Sequence, residues 1–269
     1  MLPLYTNVLS SEEYGLFDLI TTYSALALPI IGFQLEMGAF RYLVDNRKNS
    51  KNETILITNT LLTIIVSVAF FSLVYIPIAH VVSLPHLWTV LSSTIAMLLS
   101  NYFLQVTRGL GDNIGYSIGS IITGVSAVMI NLILLLVFHS GIDGILLATT
   151  ISNALCVLFL FFREHISRYF DFNTYSKKEI AKVLKYSVPL IPNSLIWWVI
   201  NVSDRTIISI FMNMSANGIY AVSNKFSSII SALYAIFNLS WTESASLHID
   251  DKDRDVFFSY TFIDSPTNT

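Results

Sequence analysis

The chain has 269 residues, of which 54% are hydrophobic and 12% charged, with a mean hydropathy of +0.63 and a formal net charge of -3. Soluble domains carry roughly a quarter charged residues, so this composition excludes a water-soluble protein, and the negative balance argues against a nucleic-acid binder. The single cysteine, Cys156, lies in an apolar run and cannot form an internal disulfide. Lipid is therefore the expected solvent of most of the chain.

Stretches of about 20 apolar residues, the length that crosses a bilayer core of about 30 Å, predict transmembrane helices. In chain order they lie near 15–36, 55–79, 84–107, 115–138, 144–162, 186–212 and 217–240. The region between Glu53 and Arg108 contains no charged residue and is interrupted by a polar turn at 80–86. Two prolines, Pro189 and Pro192, suit the start of the sixth helix. The sequence predicts an all-α, polytopic bundle of about seven spans.

Lysine and arginine predict the orientation, because they are retained on the cytoplasmic side. Thirteen of the fifteen basic residues fall in alternate connections, at 41–51, at 108, at 163–185 and at 252–254. The intervening connections at 80–86, 140–143 and 213–217 contain no lysine or arginine. This alternation puts the residues before Gly15 on the outer side.

A weak internal repeat relates the two ends of the chain. Residues 12–17 and the span that follows resemble residues 215–220 and their span, at a constant offset of 203 residues. If so, the helix from Pro189 to Met212 has a counterpart that ends near Leu9 and lies mostly before Met1. The sequence is therefore expected to be a fragment of a longer protein.

An ordered set of short motifs resembles the polysaccharide biosynthesis (O-antigen flippase) family. Each motif is weak alone, but their order and spacing match over most of residues 2–245. They are Leu9-Ser-Ser-Glu-Glu-Tyr-Gly-Leu-Phe-Asp18, Gly32, Arg41-Tyr42-Leu43, Tyr186-Ser-Val-Pro-Leu-Ile-Pro192, Asn201-Val-Ser-Asp204-Arg205 and Asn217-Gly218-Ile219-Tyr220.

The resemblance implies a fold of twelve to fourteen helices, in which two bundles face each other across a central cavity. The same superfamily contains multidrug and toxin extrusion transporters and lipid II flippases. For this chain it implies most of a first bundle, helices two to six (1–162), a cytoplasmic connection (163–185), the start of a second bundle, helices seven and eight (186–245), and a polar tail (246–269).

The resemblance also implies a function. Members translocate undecaprenyl-pyrophosphate-linked oligosaccharide repeat units across the bacterial inner membrane by alternating access, for surface polysaccharide synthesis. The expected partners are that lipid-linked oligosaccharide, membrane lipid and a polysaccharide polymerase, and no nucleic acid. No cofactor is expected, and coupling to a proton or sodium gradient stays open.

Ionisable residues within a span cost several kcal/mol unless they are paired or face a wet cavity, so they are the first candidates for a substrate site. Asp204, Arg205 and Lys225 fall at similar depth in the outer half of their predicted spans. A basic lining there suits a pyrophosphate. The alternative is that Asp204 pairs with Lys225 or Arg205 and ties two helices together.

Four other residues are weaker substrate-binding candidates. Asp18 either faces the cavity, binds a coupling ion, or is a favourable partner of its helix dipole. Arg108 either meets phosphate at the cytoplasmic side or anchors the orientation of its helix. Trp197 and Trp198 either stack on sugar rings or pack against lipid and protein. By contrast, Glu36 near the cytoplasmic end is explained by snorkelling.

Three alternative functions compete with lipid-linked sugar transport. A multidrug or small-molecule cation exporter would favour an acidic cavity, which Arg205 and Lys225 oppose. A glycosyltransferase or polymerase would need a larger loop than 163–185, and neither the five histidines nor any Ser-His-Asp or paired-cysteine pattern indicates a metal or catalytic site, so an enzyme is not expected. An inactive truncated fragment is the third.

Overall fold

The computed structural model describes residues 2–47, 49–225, 230–231 and 234. The α-helices in this part of the chain are α1 (Leu2–Val8), α2 (Ser11–Ile31), α3 (Leu35–Asp45), α4 (Ser50–Val81), α5 (Leu87–Leu110), α6 (Asn113–Leu136), α7 (Gly141–Arg163), α8 (Lys177–Ser187) and α9 (Leu190–Phe211). Two short 3₁₀ helices, Ile166–Tyr169 and Phe172–Thr174, connect α7 to α8. Residues 214–225 are also helical.

Five of these helices, α2, α4, α5, α6 and α7, are long and apolar enough to cross a membrane. A sixth candidate combines α8 and α9 and is bent by 49° between Val199 and Ser203. An all-α polytopic membrane bundle is therefore confirmed. Half of the seventh predicted span, 217–240, and all of the predicted tail, 246–269, lie outside the described residues.

The outward faces of these helices are apolar and suited to contact with lipid. On α4, Val66, Phe70 and Leu73 leave about two thirds or more of their surface exposed. Exposed apolar side chains in this number would be unfavourable in water but are neutral against lipid tails. Packing inside the bundle instead centres on Leu43 of α3, Ile57 of α4 and Tyr102 of α5, which are almost fully buried.

The first predicted span is broken, which corrects the expectation of one continuous helix over 15–36. A capping box at Ser10 and Glu13 starts α2, and the helix ends at Ile31, two residues after Pro29. Phe33 and Gln34 then adopt left-handed backbone angles, with φ of 49° and 53°, before α3 begins. Non-glycine residues adopt such angles at a cost, so surrounding contacts must hold this break in place.

The connections rich in basic residues lie together at one end of the bundle. Arg47, between α3 and α4, donates a hydrogen bond to the carbonyl of Gly109 at the end of α5. Arg163 at the end of α7 pairs with Asp112 between α5 and α6. The start of α4 binds the segment between α7 and α8 through Asn59. Connections that the charge pattern assigns to one side of the membrane are thus neighbours in space.

The chain divides into two units, residues 1–219 and 220–269. The first contains α1 to α9. Of the second, residues 220–225, 230–231 and 234 are described, and they are helical.

Candidate functional site

A polar seam runs along the contact between α2 and α9 inside the membrane-spanning region. Its central element is a buried ion pair, in which Nη1 of Arg205 donates to Oδ1 of Asp18 at 2.9 Å. The same nitrogen also donates to the hydroxyl of Thr22, one turn along α2, at 3.1 Å. Asp18 is 4% exposed and Thr22 5%, so this charge pair is shielded from lipid and solvent.

Aromatic side chains extend the seam toward the start of α9. The indole N–H of Trp198 donates to the carbonyl of Thr22 at 2.9 Å. The hydroxyl of Tyr23 hydrogen-bonds that of Thr206 at 3.0 Å, and the rings of Tyr23 and Trp198 have centres 5.8 Å apart. Helices can pack in lipid through apolar contacts alone. The contact between α2 and α9 instead contains a line of hydrogen bonds.

At one end of the seam, backbones are in direct contact. Buried Asn217 donates from its side-chain amide to the carbonyl of Gly15 at 3.0 Å. A Cβ atom on Gly15 would overlap the carbonyl oxygen of Met214, and one on Gly218 would overlap that of Ser11. Only glycine permits this approach at either position. Gly15 and Gly218 occupy equivalent places in the repeat that the sequence suggests.

Near the other end of the seam, a cavity of about 320 Å³ opens where α2 breaks into α3. Gln34, in the break, donates from its side-chain amide to the hydroxyl of Ser194 on α9 at 2.7 Å. The cavity is lined by Ala25, Leu26, Leu28, Pro29, Gln34, Glu36, Met37, Asn101, Ser194 and Trp198.

A second cavity, of about 460 Å³, lies between α2, α4 and α5. Its walls include Leu19 and Ala27 of α2, Phe71 of α4 and Val90 of α5, and they are almost wholly apolar. Such a lining suits hydrocarbon and offers little to sugar or phosphate.

Comparison with known proteins identifies the family. A family model described as polysaccharide biosynthesis protein matches residues 1–241 of the chain. The chain belongs to this family. Neither the curated proteins nor the solved structures contain a match. With the helices described above, membership makes the chain a multi-pass membrane protein of polysaccharide synthesis.

Two of the site residues expected from the sequence of this family member come together. Asp18 and Arg205 form the ion pair, although Arg205 was expected to pair with Asp204 if it paired at all. The carboxylate of Asp204 instead accepts a hydrogen bond from the backbone N–H of Arg205. Lys225 lies in the second unit with an exposed side chain. Its place in a substrate site remains a prediction.

The other candidate residues lie in different parts of the structure. Trp198 belongs to the seam, whereas the neighbouring Trp197 is 61% exposed. Arg108 lies at the basic end of the bundle, where its guanidinium sits over the rings of Phe40 and Tyr116, 4.8 and 5.9 Å from their centres. Whether Arg108 meets phosphate or anchors its helix stays a prediction.

Sequence reasoning missed the partners that complete the seam. Thr22 and Tyr23 are ordinary polar residues in an apolar helix, and nothing in their spacing singles them out. Glu36 was explained by snorkelling, yet its Oε2 is buried beside the cavity. The helix break could have been predicted from the sequence, because Pro29 is followed closely by Gly32, and both residue types interrupt helices.

Proposed function

We propose that this protein translocates undecaprenyl-pyrophosphate-linked oligosaccharide repeat units across the bacterial inner membrane, by alternating access, for surface polysaccharide synthesis. It acts as a transporter and not as an enzyme. The observation that carries the proposal is the buried Asp18–Arg205 pair within the membrane-spanning seam of a polysaccharide biosynthesis family member.

Arg205 is suited to recognise the pyrophosphate. A guanidinium presents several donors in a fixed plane that matches phosphate oxygens. Nη1 of Arg205 is committed to Asp18 and Thr22, while Nε is buried and makes no hydrogen bond within the described part of the chain. A phosphate oxygen would satisfy that donor. Asp204 remains a proposed member of the same site, with Trp198 at its edge. Lys225 remains a proposed substrate-binding residue in its own right.

Asp18 gives this site a route to ion coupling. In the resting pair, the carboxylate neutralises Arg205 and competes with an incoming phosphate. Binding of a proton or a sodium ion to Asp18 would remove that competition and free the guanidinium. Cargo and coupling ion would thus act on the same pair, which is a condition for linked transport.

Alternating access requires the two ends of the seam to open in turn. The backbone contact at Gly15 and Gly218 closes the end that the charge pattern assigns to the outer side. The cavity at the break between α2 and α3 lies toward the opposite end. The described conformation is therefore interpreted as closed to the outside.

Complementation in cells tests the proposal. The chain is expressed in a strain that lacks its own repeat-unit flippase, with membrane insertion checked in parallel. Wild type should restore surface polysaccharide, Arg205→Ala should not, and Arg168→Ala, an exposed arginine outside the spans, should behave as wild type. Failure of an inserted wild-type chain, or full restoration by Arg205→Ala, would contradict the proposal.

A further inference from the structure

The cavity at the helix break is lined by four helices, α2, α3, α5 and α9, in the same half of the bundle. Gln34 and Glu36 lie where α2 passes into α3, Ser194 is four residues into α9, and Asn101 is about 10 Å along α5 from Arg108 at the basic end. Its volume of about 320 Å³ falls within the range of small-molecule sites. By the charge pattern, this is the cytoplasmic half.

Glu36 is the unusual group in this cavity. Its Oε2 is inaccessible to solvent and accepts no hydrogen bond within the described residues. A buried carboxylate oxygen without a donor is costly, so a ligand that donates a hydrogen bond to it would be favoured. Among the described residues that line the cavity, Glu36 is the sole ionisable group, and no lysine, arginine or histidine accompanies it. The cavity is thus unsuited to phosphate, and none of its described lining residues donates a hydrogen bond to Oε2 of Glu36.

The remaining walls match a neutral, hydroxyl-bearing ring. Gln34, Asn101 and Ser194 add amide and hydroxyl groups that both donate and accept. The indole N–H of Trp198 is occupied by the carbonyl of Thr22, so Trp198 contributes ring surface to the cavity rather than a donor. A carboxylate and amides beside an aromatic wall offer acceptors for sugar hydroxyls and an apolar surface for sugar C–H groups.

We propose that this cavity is a sugar subsite, in which Glu36 accepts a hydrogen bond from a hydroxyl of the cargo saccharide. The inference rests on the proposed function and divides the cargo between two places on the seam. Arg205 takes the pyrophosphate and Glu36 a sugar. Ser194 and Arg205 are eleven residues apart on α9, roughly 16 Å of helix. A ligand that occupies both sites must be elongated, as a phosphate-linked oligosaccharide is.

Equilibrium binding to the purified chain in lipid nanodiscs tests the subsite with two probes. One is a short-chain prenyl pyrophosphate that carries a single hexose, and the other is the same carrier without sugar. Glu36→Ala should weaken binding of the hexose-bearing probe about 10-fold, because a buried hydrogen bond to the sugar is lost, and leave the sugar-free probe unchanged. Glu36→Gln, which keeps the shape of the side chain, should weaken the same probe less. Glu12→Ala, at an exposed glutamate, should alter neither.

The outcomes separate the two claims. If wild type binds neither carrier, the proposed function fails. If wild type binds both and the Glu36 variants weaken both equally or neither, the function stands and the sugar subsite is overturned. A competition experiment with a lipophilic cation such as tetraphenylphosphonium gives a further test. If the cation displaces the hexose-bearing probe from wild type but not from Glu36→Gln, Glu36 is a cation site and the sugar subsite is overturned.

Discussion

Gly15 and Gly218, 203 positions apart in the sequence, lie in backbone contact at one end of the α2–α9 seam. A Cβ atom on Gly218 would lie 3.2 Å from the amide nitrogen of Gly15, and Asn217 hydrogen-bonds the carbonyl of the same glycine. Equivalent positions of a suggested repeat thus meet each other. Such a meeting is expected where two repeated elements are related by a local two-fold axis, and here it closes one end of the seam.

Gly15→Ala should destabilise the protein because its methyl group would overlap the carbonyl of Met214. Overpacking of this kind costs typically about 1–3 kcal/mol. Gly124→Ala is the matched control, since a Cβ there meets no atom within 4 Å and alanine favours helix. Thermal unfolding in detergent should show a lower midpoint for Gly15→Ala and an equal or higher one for Gly124→Ala. Equal midpoints for the two variants would show that the contact is not close.

Breaking the Asp18–Arg205 pair from one side should cost more than removing both partners. A single Asp18→Ala or Arg205→Ala change leaves a buried charge without its counterion, which is destabilising by about 3–5 kcal/mol. The double variant removes both charges of the pair, so the two effects should be far from additive. Unfolding free energies of the four proteins measure this coupling. Additive losses would mean that the two side chains do not interact.

Glu164, just beyond α7, should make stability depend on pH. Burial, followed by its neighbour Asp112, raises the pKa of Glu164 to about 7. The folded state then holds a proton that the unfolded state releases at its lower pKa, so stability should fall as pH rises through the interval from the ordinary glutamate pKa to about 7. Glu164→Gln should flatten that decline, and an unchanged pH profile of the melting temperature would contradict the assignment.

Asp112 should act in the opposite sense at lower pH. The hydrogen bond from Arg163 holds the pKa of Asp112 down at about 2. The stability this contributes is complete above the ordinary aspartate pKa and is lost as pH falls toward 2. Asp112→Asn should therefore lower the melting temperature at neutral pH and reduce its decline in acid. Equal acid sensitivity in wild type and variant would exclude this role.

Thiol labelling should establish the orientation. Cys156 is fully buried, so the natural chain supplies a low background. A membrane-impermeant maleimide added to intact spheroplasts should label Ser83→Cys, between α4 and α5, and should label Ser167→Cys only after permeabilisation. Both serines are exposed. The reverse pattern would invert the topology that the basic residues predict.

The transmembrane spans and the start of α9 could be predicted from the sequence, because they depend on composition and on local patterns. Long uncharged runs gave the spans, and Pro189 indeed precedes the first residue of α9. The sequence did not predict the partner of Arg205, because Asp18 lies 187 residues away and the adjacent Asp204 was the acidic group that the sequence suggested. The break after Pro29 was also missed, because hydropathy is insensitive to a change of backbone direction. Without that break, Glu36 was placed at a helix end instead of beside a cavity.

Translocation in reconstituted vesicles tests the central claim most directly. Purified chain is incorporated into liposomes with a fluorescent short-chain prenyl pyrophosphate that carries a sugar, and an impermeant reductant then reports the fraction in the outer leaflet. Wild type and Arg168→Ala should expose the inner-leaflet probe to the reductant, and Arg205→Ala should leave it protected, as in protein-free vesicles. Protection with the wild-type chain, or exposure undiminished by Arg205→Ala, would contradict transport through the Asp18–Arg205 seam.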